Sequence, residues 1–284
     1  MSLERESTSM QSAKVNSKSG VESSETKPRV ALFVTCLVNT IRPSVGFSAM
    51  SLLESAGCDV HVPMQQGCCG QPAFNSGDDK ASLKIAKQLI ATFRDYDYVV
   101  VPSGSCAGML KKSFLDVFAS QQEDDTDARE LSSKTHELLS FLVDVRKFKP
   151  KGIELEGKYT YHDSCSGFRS MGVYAQPREM LAEVSGLQHE PLVGHNECCG
   201  FGGTFCVKYS NISDAIVTEK VDNIRQTGAD YLVGGDLGCL MNMEGKLNRQ
   251  GSSQVIALHA AEILAGDAAT IIEKAKIEKA KNEN

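Results

Sequence analysis

Several features that would identify common classes of protein are missing from the 284-residue sequence. It has no stripe of basic residues, and its net charge of −6 argues against nucleic acid as a main partner. It has no run of about 18 apolar residues, so we expect no membrane span. No G-x-G-x-x-G motif follows a predicted strand, so we expect no dinucleotide site of that type.

An export signal is also missing from the beginning of the chain. Residues 1–28 are rich in Ser, Lys and Glu and lack an apolar core, so we expect a disordered tail rather than a signal peptide. The expected location is therefore cytoplasmic. In such a reducing compartment, the ten cysteines of the chain indicate metal or redox chemistry rather than a disulfide framework.

Two stretches carry adjacent cysteines followed by a glycine, Cys68-Cys69-Gly70 and Cys198-Cys199-Gly200. Neighbouring cysteines can bond to each other only with a distorted geometry, so a structural disulfide within a pair is not expected. Both thiolates can instead face one metal ion or metal–sulfur cluster. The glycine lacks a Cβ and lets the backbone turn sharply beside such a centre.

The whole cysteine pattern occurs twice with a nearly constant offset. The offset is 129 residues between Cys36 and Cys165, 130 between the two vicinal pairs, and 133 between Cys106 and Cys239. This period is too long for a solenoid repeat and predicts two similar domains. Eight matched cysteines are the candidate ligands of a metal or cofactor: Cys36, Cys68, Cys69, Cys106, Cys165, Cys198, Cys199 and Cys239.

Strands and helices alternate in both halves of the sequence. Val30–Thr35, for example, is a continuous apolar run that is typical of a strand buried on both faces. The alternation predicts two duplicated Rossmann-like α/β domains with mainly parallel sheets. The expected domains are residues 29–150 and 151–266, followed by a charged C-terminal tail over 267–284 that frays from residue 273. Residues 71–77 and the acidic stretch 121–130 are predicted to be loops.

The predicted fold brings the cysteines of each half together. Cys36, Cys106, Cys165 and Cys239 each follow a predicted strand, and parallel sheets bind ligands at the carboxyl ends of their strands. Four thiolates suit a tetrahedral zinc ion. They also suit a [4Fe–4S] cluster, although neither half has the compact C-x2-C-x2-C run of many clusters. On the residues alone, both kinds of centre stay open.

This pattern resembles the duplicated cysteine-rich CCG domain. That domain occurs in the cysteine-rich subunit of heterodisulfide reductase and in the iron–sulfur subunits of glycolate oxidase and anaerobic glycerol-3-phosphate dehydrogenase. Over about residues 29–266 the sequence is similar to the lactate utilization protein A family. The strings that carry this similarity are CCGQPAFNSG at 68–77, PSGSC at 102–106, HDSC at 162–165, ECCGFGGTF at 197–205 and GCLMN at 238–242.

The resemblance implies an iron–sulfur electron-transfer subunit of a multi-subunit L-lactate dehydrogenase, which converts lactate to pyruvate. It implies one or two [4Fe–4S] clusters on the eight cysteines, with zinc as a possibility in one half. The implied partners are a ferredoxin-like iron–sulfur subunit and a third small subunit.

One departure from the wider family separates the alternative functions. The cysteine-rich subunit of heterodisulfide reductase has a fifth cysteine in each half, which completes a cluster that cleaves disulfides. Ser103 and Asp236 stand at those positions here, so thiol–disulfide reduction is disfavoured. A zinc-stabilised binding module is the other alternative. Either residue is a candidate oxygen ligand or a hydrogen-bond partner of a sulfur.

Other cysteines and histidines receive simpler interpretations. Cys58 is expected to be a small buried hydrophobe, and Cys206 is expected to pack as well, with a role as substitute ligand as the alternative. His162 has two equally weighted interpretations. It either acts at a cluster, by donating a hydrogen bond to a sulfide or shuttling a proton, or it only forms a hydrogen bond with a loop carbonyl. Structural roles are expected for His136 and His259.

Overall fold

The structure, a computed structural model, describes residues 26–251 and 254–282, so the predicted tail over 1–28 lies almost wholly outside the described residues. The strands are β1 (Arg29–Leu32), β2 (Asp59–His61), β3 (Tyr98–Val101), β4 (Thr135–Glu137), β5 (Glu154–His162), β6 (Ser185–His189), β7 (Tyr231–Gly234) and β8 (Ile256–His259).

The helices of the first half are α1 (Cys36–Ile41), α2 (Ser44–Ser55), α3 (Gln71–Phe74), α4 (Asp79–Phe93), α5 (Gly104–Gly108), α6 (Phe114–Ser120), α7 (Thr126–Lys134) and α8 (Leu138–Ser140), with π-helical turns at Met109–Ser113 and Phe141–Val145. Those of the second half are α9 (Cys165–Met171), α10 (Ala175–Leu181), α11 (Phe205–Lys208), α12 (Ser210–Gln226), α13 (Leu237–Arg249), α14 (Ala260–Leu264) and α15 (Ala268–Asn282). None of the helices in the described ranges is long and apolar enough to cross a membrane.

Each half folds around one four-stranded sheet. The strand order is β2-β1-β3-β4 in the first half and β6-β5-β7-β8 in the second, so the two orders match strand for strand. All the ladders are parallel. Val30, Ala31 and Leu32 of β1 are fully buried, as expected for a central strand that helices cover on both faces. The predicted α/β class with duplicated parallel sheets is confirmed.

Some elements differ from the prediction. Residues 71–77, predicted to be a loop, contain α3. The acidic stretch 121–130 contains the start of α7, a helix that is stabilised because Ala128 and Leu131 are buried against the core. The C-terminal residues predicted to fray are helical through Asn282. Strand β4, absent from the sequence-based prediction, pairs with β3.

The two halves pack around an approximate two-fold relation. Helix α5 contacts α9, and the equivalent helices α13 and α1 contact each other. At the first crossing the backbones touch, since a Cβ built on Gly104 would lie 2.6 Å from the Cα of Gly167. At the second crossing the equivalent residues are Leu237 and Val38, which share one apolar cluster. Helices that carry cysteines of one half therefore contact helices that carry cysteines of the other.

Polar contacts join the halves as well. Arg42, in the turn between α1 and α2, lies 2.8 Å from the fully buried carboxylate of Glu262 in α14. Ser44 Oγ donates a hydrogen bond to the same carboxylate at 2.7 Å. Removing one partner of a buried ion pair costs about 3–5 kcal/mol, because the other charge stays buried without compensation. These contacts hold the halves in a fixed arrangement.

Candidate metal centres

Four thiols of the first half meet near the carboxyl ends of its strands. Cys36 begins α1, Cys68 and Cys69 lie in the loop before α3, and Cys106 lies within α5. Their side chains are in hydrogen-bond contact in the order Cys36, Cys68, Cys69, Cys106. Cys36 is exposed whereas Cys69 and Cys106 are buried, so the group opens to the surface on one side. We call these four residues the first site.

Four thiols of the second half meet in the same way. Cys165 begins α9, Cys198 and Cys199 lie in the loop after β6, and Cys239 lies within α13. The contacts again run along the series, in the order Cys165, Cys198, Cys199, Cys239. Cys198 is exposed whereas Cys199 and Cys239 are buried. We call these four residues the second site.

A glycine follows each vicinal pair because the turn requires a left-handed backbone. Gly70 has a φ of +87° and Gly200 a φ of +83°, in the region that favours glycine. Each glycine directs its N–H toward a sulfur, at 3.5 Å from Gly70 N to Cys68 Sγ and at 3.3 Å from Gly200 N to Cys198 Sγ. The turn therefore brings one backbone donor to one sulfur atom in each site.

One thiol in each site is strongly acidic. Hydrogen bonds from Cys36 and Cys69, together with the Gly70 N–H, lower the pKa of Cys68 to about 2. Hydrogen bonds from Cys165 and, to a smaller extent, from Cys199 lower the pKa of Cys198 to about 2. In each site the first thiol of the vicinal pair therefore favours the thiolate, which is the form of cysteine that binds metals.

The donor set of each site fits a metal ion or an iron–sulfur cluster. Four thiolates satisfy the tetrahedral preference of zinc, and four thiolates also supply one ligand to each iron of a [4Fe–4S] cluster. Successive thiols in each site are in contact, and one glycine N–H in each site points at the sulfur of the first cysteine in the vicinal pair. The structure therefore supports metal or cluster binding.

Ser103 and Asp236 contact each other across the boundary between the halves. Ser103 Oγ donates to Asp236 Oδ2 at 3.1 Å, and Ser105 N donates to the same oxygen at 2.9 Å. Ser103 Oγ also accepts a hydrogen bond from Cys106 N at 3.4 Å. Both side chains are thereby engaged with backbone and with each other, rather than with a sulfur as the sequence suggests. The equivalent positions of the two copies form one polar contact.

His162, at the carboxyl end of β5, faces the second site. The residue is 1% exposed, and a ring nitrogen lies within 4.8 Å of the sulfur atoms of Cys199 and Cys239. Burial, followed by the charge of Lys220, lowers the pKa of His162 to about 3, so the ring is neutral at pH 7. Neither ring nitrogen has a hydrogen-bond partner within the described part of the chain. The interpretation in which His162 forms a hydrogen bond with a loop carbonyl is therefore wrong.

A buried lysine also lies near the second site. Lys220 of α12 is 2% exposed, and desolvation lowers its pKa although the nearby thiol of Cys199 favours its charge. An offset of 131 residues aligns the sequence of α12 with that of α4, so that the buried Ile224 corresponds to the buried Phe93. The equivalent of Lys220 is then Leu89, which is also buried. The second site has a cationic neighbour where the first has an apolar one.

A charged cluster beside the second site has no local signal in the sequence. Buried Asp163 accepts hydrogen bonds from both terminal nitrogens of Arg178 at 2.9 and 2.8 Å, and it lies 2.6 Å from His195 Nδ1. Arg178 also lies 4.0 Å from the centre of the Tyr174 ring. These partners are up to 32 residues apart in the chain, so sequence reasoning assigns His195 no role. The paired carboxylate fixes the loops that precede Cys165 and the second vicinal pair.

The other cysteines and histidines have structural surroundings. Cys58 is buried in the hydrophobic core, as expected. The thiol of Cys206 lies 3.6 Å from a nearby backbone carbonyl. His136 packs in a cluster with the rings of Tyr98 and Phe141, and His259 caps α14 in a reciprocal pair of hydrogen bonds with Glu262. The structural roles expected of the two histidines are confirmed.

Comparisons with known proteins agree with this arrangement. The cysteine-rich domain family CCG matches two segments of the chain, residues 30–111 and 159–244. Lactate utilization protein A from Geobacillus sp. (strain WCH70) is 46% identical over 236 residues, which cover 83% of this chain and 98% of that protein. The protein of the same name from Shouchella clausii (strain KSM-K16) is 48% identical over 235 residues, with the same coverage of both chains.

Among solved structures, a hypothetical protein from Helicobacter pylori has a TM-score of 0.59 at 12% identity. The match covers 84% of this chain and 48% of that one, so this chain spans about half of its length. This likeness shows the fold alone. The sequence relatives show more, because they are nearly half identical over most of both chains. With its two cysteine-rich domains, the chain belongs to the lactate utilization protein A family.

Proposed function

We propose that the chain is an iron–sulfur electron-transfer subunit of a multi-subunit system that oxidises L-lactate to pyruvate. The lactate assignment comes from the relatives, which are named lactate utilization protein A. The redox assignment rests on the convergence of four thiols in each half of the chain. Bound [4Fe–4S] clusters would supply one-electron transfer.

The residues of each site have distinct tasks under this proposal. The four thiolates of each site would hold one iron each of a [4Fe–4S] cluster, so that all eight matched cysteines would be ligands. The Gly70 and Gly200 N–H groups donate to the sulfur of the first cysteine in each pair, which stabilises its thiolate. The buried thiols, such as Cys69 and Cys199, keep water from one side of each centre.

The contact between α5 and α9 supports electron transfer between the two sites. Cys106 lies two residues after Gly104, and Cys165 lies two residues before Gly167. The two glycines touch, and consecutive Cα atoms are about 3.8 Å apart, so the Cα atoms of the two cysteines lie within about 20 Å of each other. Under this proposal, electrons that enter one half would reach the other through two helices that are in direct contact.

The open side of each site is where we place the partners. Cys36 and Cys198 are both exposed, and Met64, beside the first site, is 88% exposed. We propose that a ferredoxin-like iron–sulfur subunit and a third small subunit complete the system. They would exchange electrons with this chain at these two exposed edges.

Anaerobic purification followed by iron, zinc and acid-labile sulfide analysis tests the proposal. We expect about four irons and four sulfides per occupied site, and an EPR signal after reduction. Cys198→Ser should remove the second-site signal and abolish lactate-dependent electron transfer in the assembled system. The matched control Cys58→Ser, in the hydrophobic core, should leave iron content and electron transfer intact.

Three outcomes would contradict this function. Zinc without inorganic sulfide at both sites would favour a zinc-stabilised binding module. A cluster that reacts directly with disulfides would favour a thiol–disulfide reductase. Normal lactate oxidation by a system that contains the Cys198→Ser chain would remove the second site from the mechanism.

A further inference from the structure

His162 is the residue, within the described ranges, that has two buried side-chain polar atoms without a hydrogen-bond partner. Both of its ring nitrogens lack a partner within residues 26–251 and 254–282, and one lies within 4.8 Å of Cys199 Sγ and Cys239 Sγ. A buried donor that stays unsatisfied destabilises the fold. The ring faces the second site, so its partner is expected there.

The first site has no such donor at the equivalent position. His162 lies three residues before Cys165, and Phe33 lies three residues before Cys36. Phe33 is fully buried and packs edge-on against Phe93, with the ring centres 5.4 Å apart. A phenyl ring cannot donate an N–H to a sulfur. The two sites therefore match in their thiols but not in what surrounds them.

The chemistry of the ring selects a role for it. A neutral imidazole carries one N–H donor and one acceptor nitrogen. Four thiolates already satisfy the four irons of a [4Fe–4S] cluster, and they also satisfy a tetrahedral zinc ion. A fifth ligand is not required in either case, whereas the sulfur atoms can still accept hydrogen bonds.

We propose that His162 donates a hydrogen bond to a sulfur of the group held in the second site, and that this bond contributes to a higher reduction potential there than at the first site. The potential part of this inference rests on the proposed function. Hydrogen bonds to sulfur stabilise the more electron-rich reduced state. With clusters bound at both sites, this difference would favour transfer of one electron from a reduced first centre to an oxidised second centre, with no bond made or broken.

Charged groups around the second site do not change between the variants that test this role. Lys220 is buried beside the thiols, Asp163 is paired with Arg178, and Asp236 accepts from Ser105 N. Substitutions at His162 leave all of them in place. Any change of potential in the His162 variants therefore reports the loss of the imidazole and not a change in these charges.

EPR-monitored redox titration of the full-length, anaerobically loaded chain is the first test. The wild type should show two potentials, and Cys198→Ser should lose the higher one. His162→Phe, which copies the first site, should shift the higher potential down toward the lower. His162→Gln keeps an N–H donor and should shift it less. His136→Phe, at a partly buried histidine that packs on aromatic rings, should shift neither potential.

Several results would overturn the inference. Unchanged potentials in His162→Phe would show that the ring makes no contact of consequence. Equal shifts in the Phe and Gln variants would show a packing effect rather than a hydrogen bond. Loss of the second cluster from both variants would show that the imidazole is a ligand instead.

A second measurement separates this inference from the proposed function. The chain is loaded with zinc alone, and the imidazole ¹⁵N–¹H resonances are recorded with His162→Gln used for assignment. A His162 N–H that becomes protected from exchange on loading supports the hydrogen bond, even where iron and sulfide are absent and the redox function fails. A resonance that loading does not change contradicts the hydrogen bond, whatever metal the native protein holds.

Discussion

Glu137 is a carboxyl group enclosed at the boundary between the halves, and its replacement should change how stability depends on pH. The side chain is 2% exposed, and its Oε2 accepts a hydrogen bond from Ser140 N at 3.0 Å. Burial is the main cause that raises the pKa of Glu137 from 4.5 to about 8, and the nearby carboxylates of Asp236 and Asp144 add to it. The folded protein therefore holds this acid protonated at neutral pH.

The sign of the effect follows from where the proton is held. Below pH 4.5 the group is protonated in both the folded and the unfolded chain, and it has no effect. Between pH 4.5 and 8 the unfolded chain releases the proton while the folded chain keeps it, so the free energy of unfolding falls as the pH rises. At 1.36 kcal/mol per pH unit, the gap between 4.5 and about 8 converts to a loss of about 5 kcal/mol above pH 8.

Glu137→Gln removes this titration and keeps an oxygen that can accept from Ser140 N. Urea unfolding of the reduced, metal-free protein from about pH 5 to 9 measures the outcome. The difference in unfolding free energy between variant and wild type should move in favour of the variant by about 4 kcal/mol over that range. Glu130→Gln, at a side chain that is 61% exposed and paired with Lys134 at the surface, is the matched control, and its effect on stability should be well below about 4 kcal/mol. A flat difference for Glu137→Gln would refute the reasoning.

Two further predictions concern the thiols and the contact between the halves. In the metal-free protein at about pH 5, iodoacetamide should label Cys68, with its low pKa, well before Cys58, whose pKa burial raises; peptide mass spectrometry measures both, and equal rates would contradict the contrast. Gly104→Ala should lower stability by about 1–3 kcal/mol, because the new Cβ would lie 2.6 Å from the Gly167 backbone. Gly108→Ala is the control and should be tolerated, because its Cβ would lie 3.4 Å from the nearest atom, Ser170 Cβ. Equal melting temperatures of the two variants would contradict this prediction.

The features of the fold that could be predicted are those with a local or a repeated signal. The offset between cysteines identifies the duplication, and the matched strand orders show it in the structure. Asp78 has the residue type of a helix cap, and its carboxylate accepts from Ala81 N at 3.0 Å at the start of α4. A helix cap can be recognised from a few adjacent residues, and a duplication can be recognised by comparing the two halves of the sequence.

The elements that were missed depend on contacts far along the chain. Thr135–Glu137 is only three residues long and polar, and its strand forms because it pairs with β3, which lies more than 30 residues earlier. The acidic stretch before it is polar on average, yet Ala128 and Leu131 supply enough buried surface to hold a helix. The average polarity of this stretch does not reveal that two apolar residues lie on one face of the helix.

The candidate sites show the same division. The eight cysteines could be named from their spacing, but the role of their neighbours could not. His162 could be placed near a cluster or near a carbonyl, and only its burial without a partner separates the two. Ser103 and Asp236 are 133 residues apart, and nothing in either short motif indicates that they meet.

The approximate two-fold relation between the halves also determines how far they can diverge. In a homodimer, an isologous interface repeats each substitution on both sides, so a serine could not face an aspartate at the same position. Two copies joined in one polypeptide escape this constraint. One helix crossing can be made of Gly104 and Gly167 while its counterpart is made of Leu237 and Val38. Covalent fusion thus permits a symmetric scaffold with an asymmetric interior, in which each copy adapts separately.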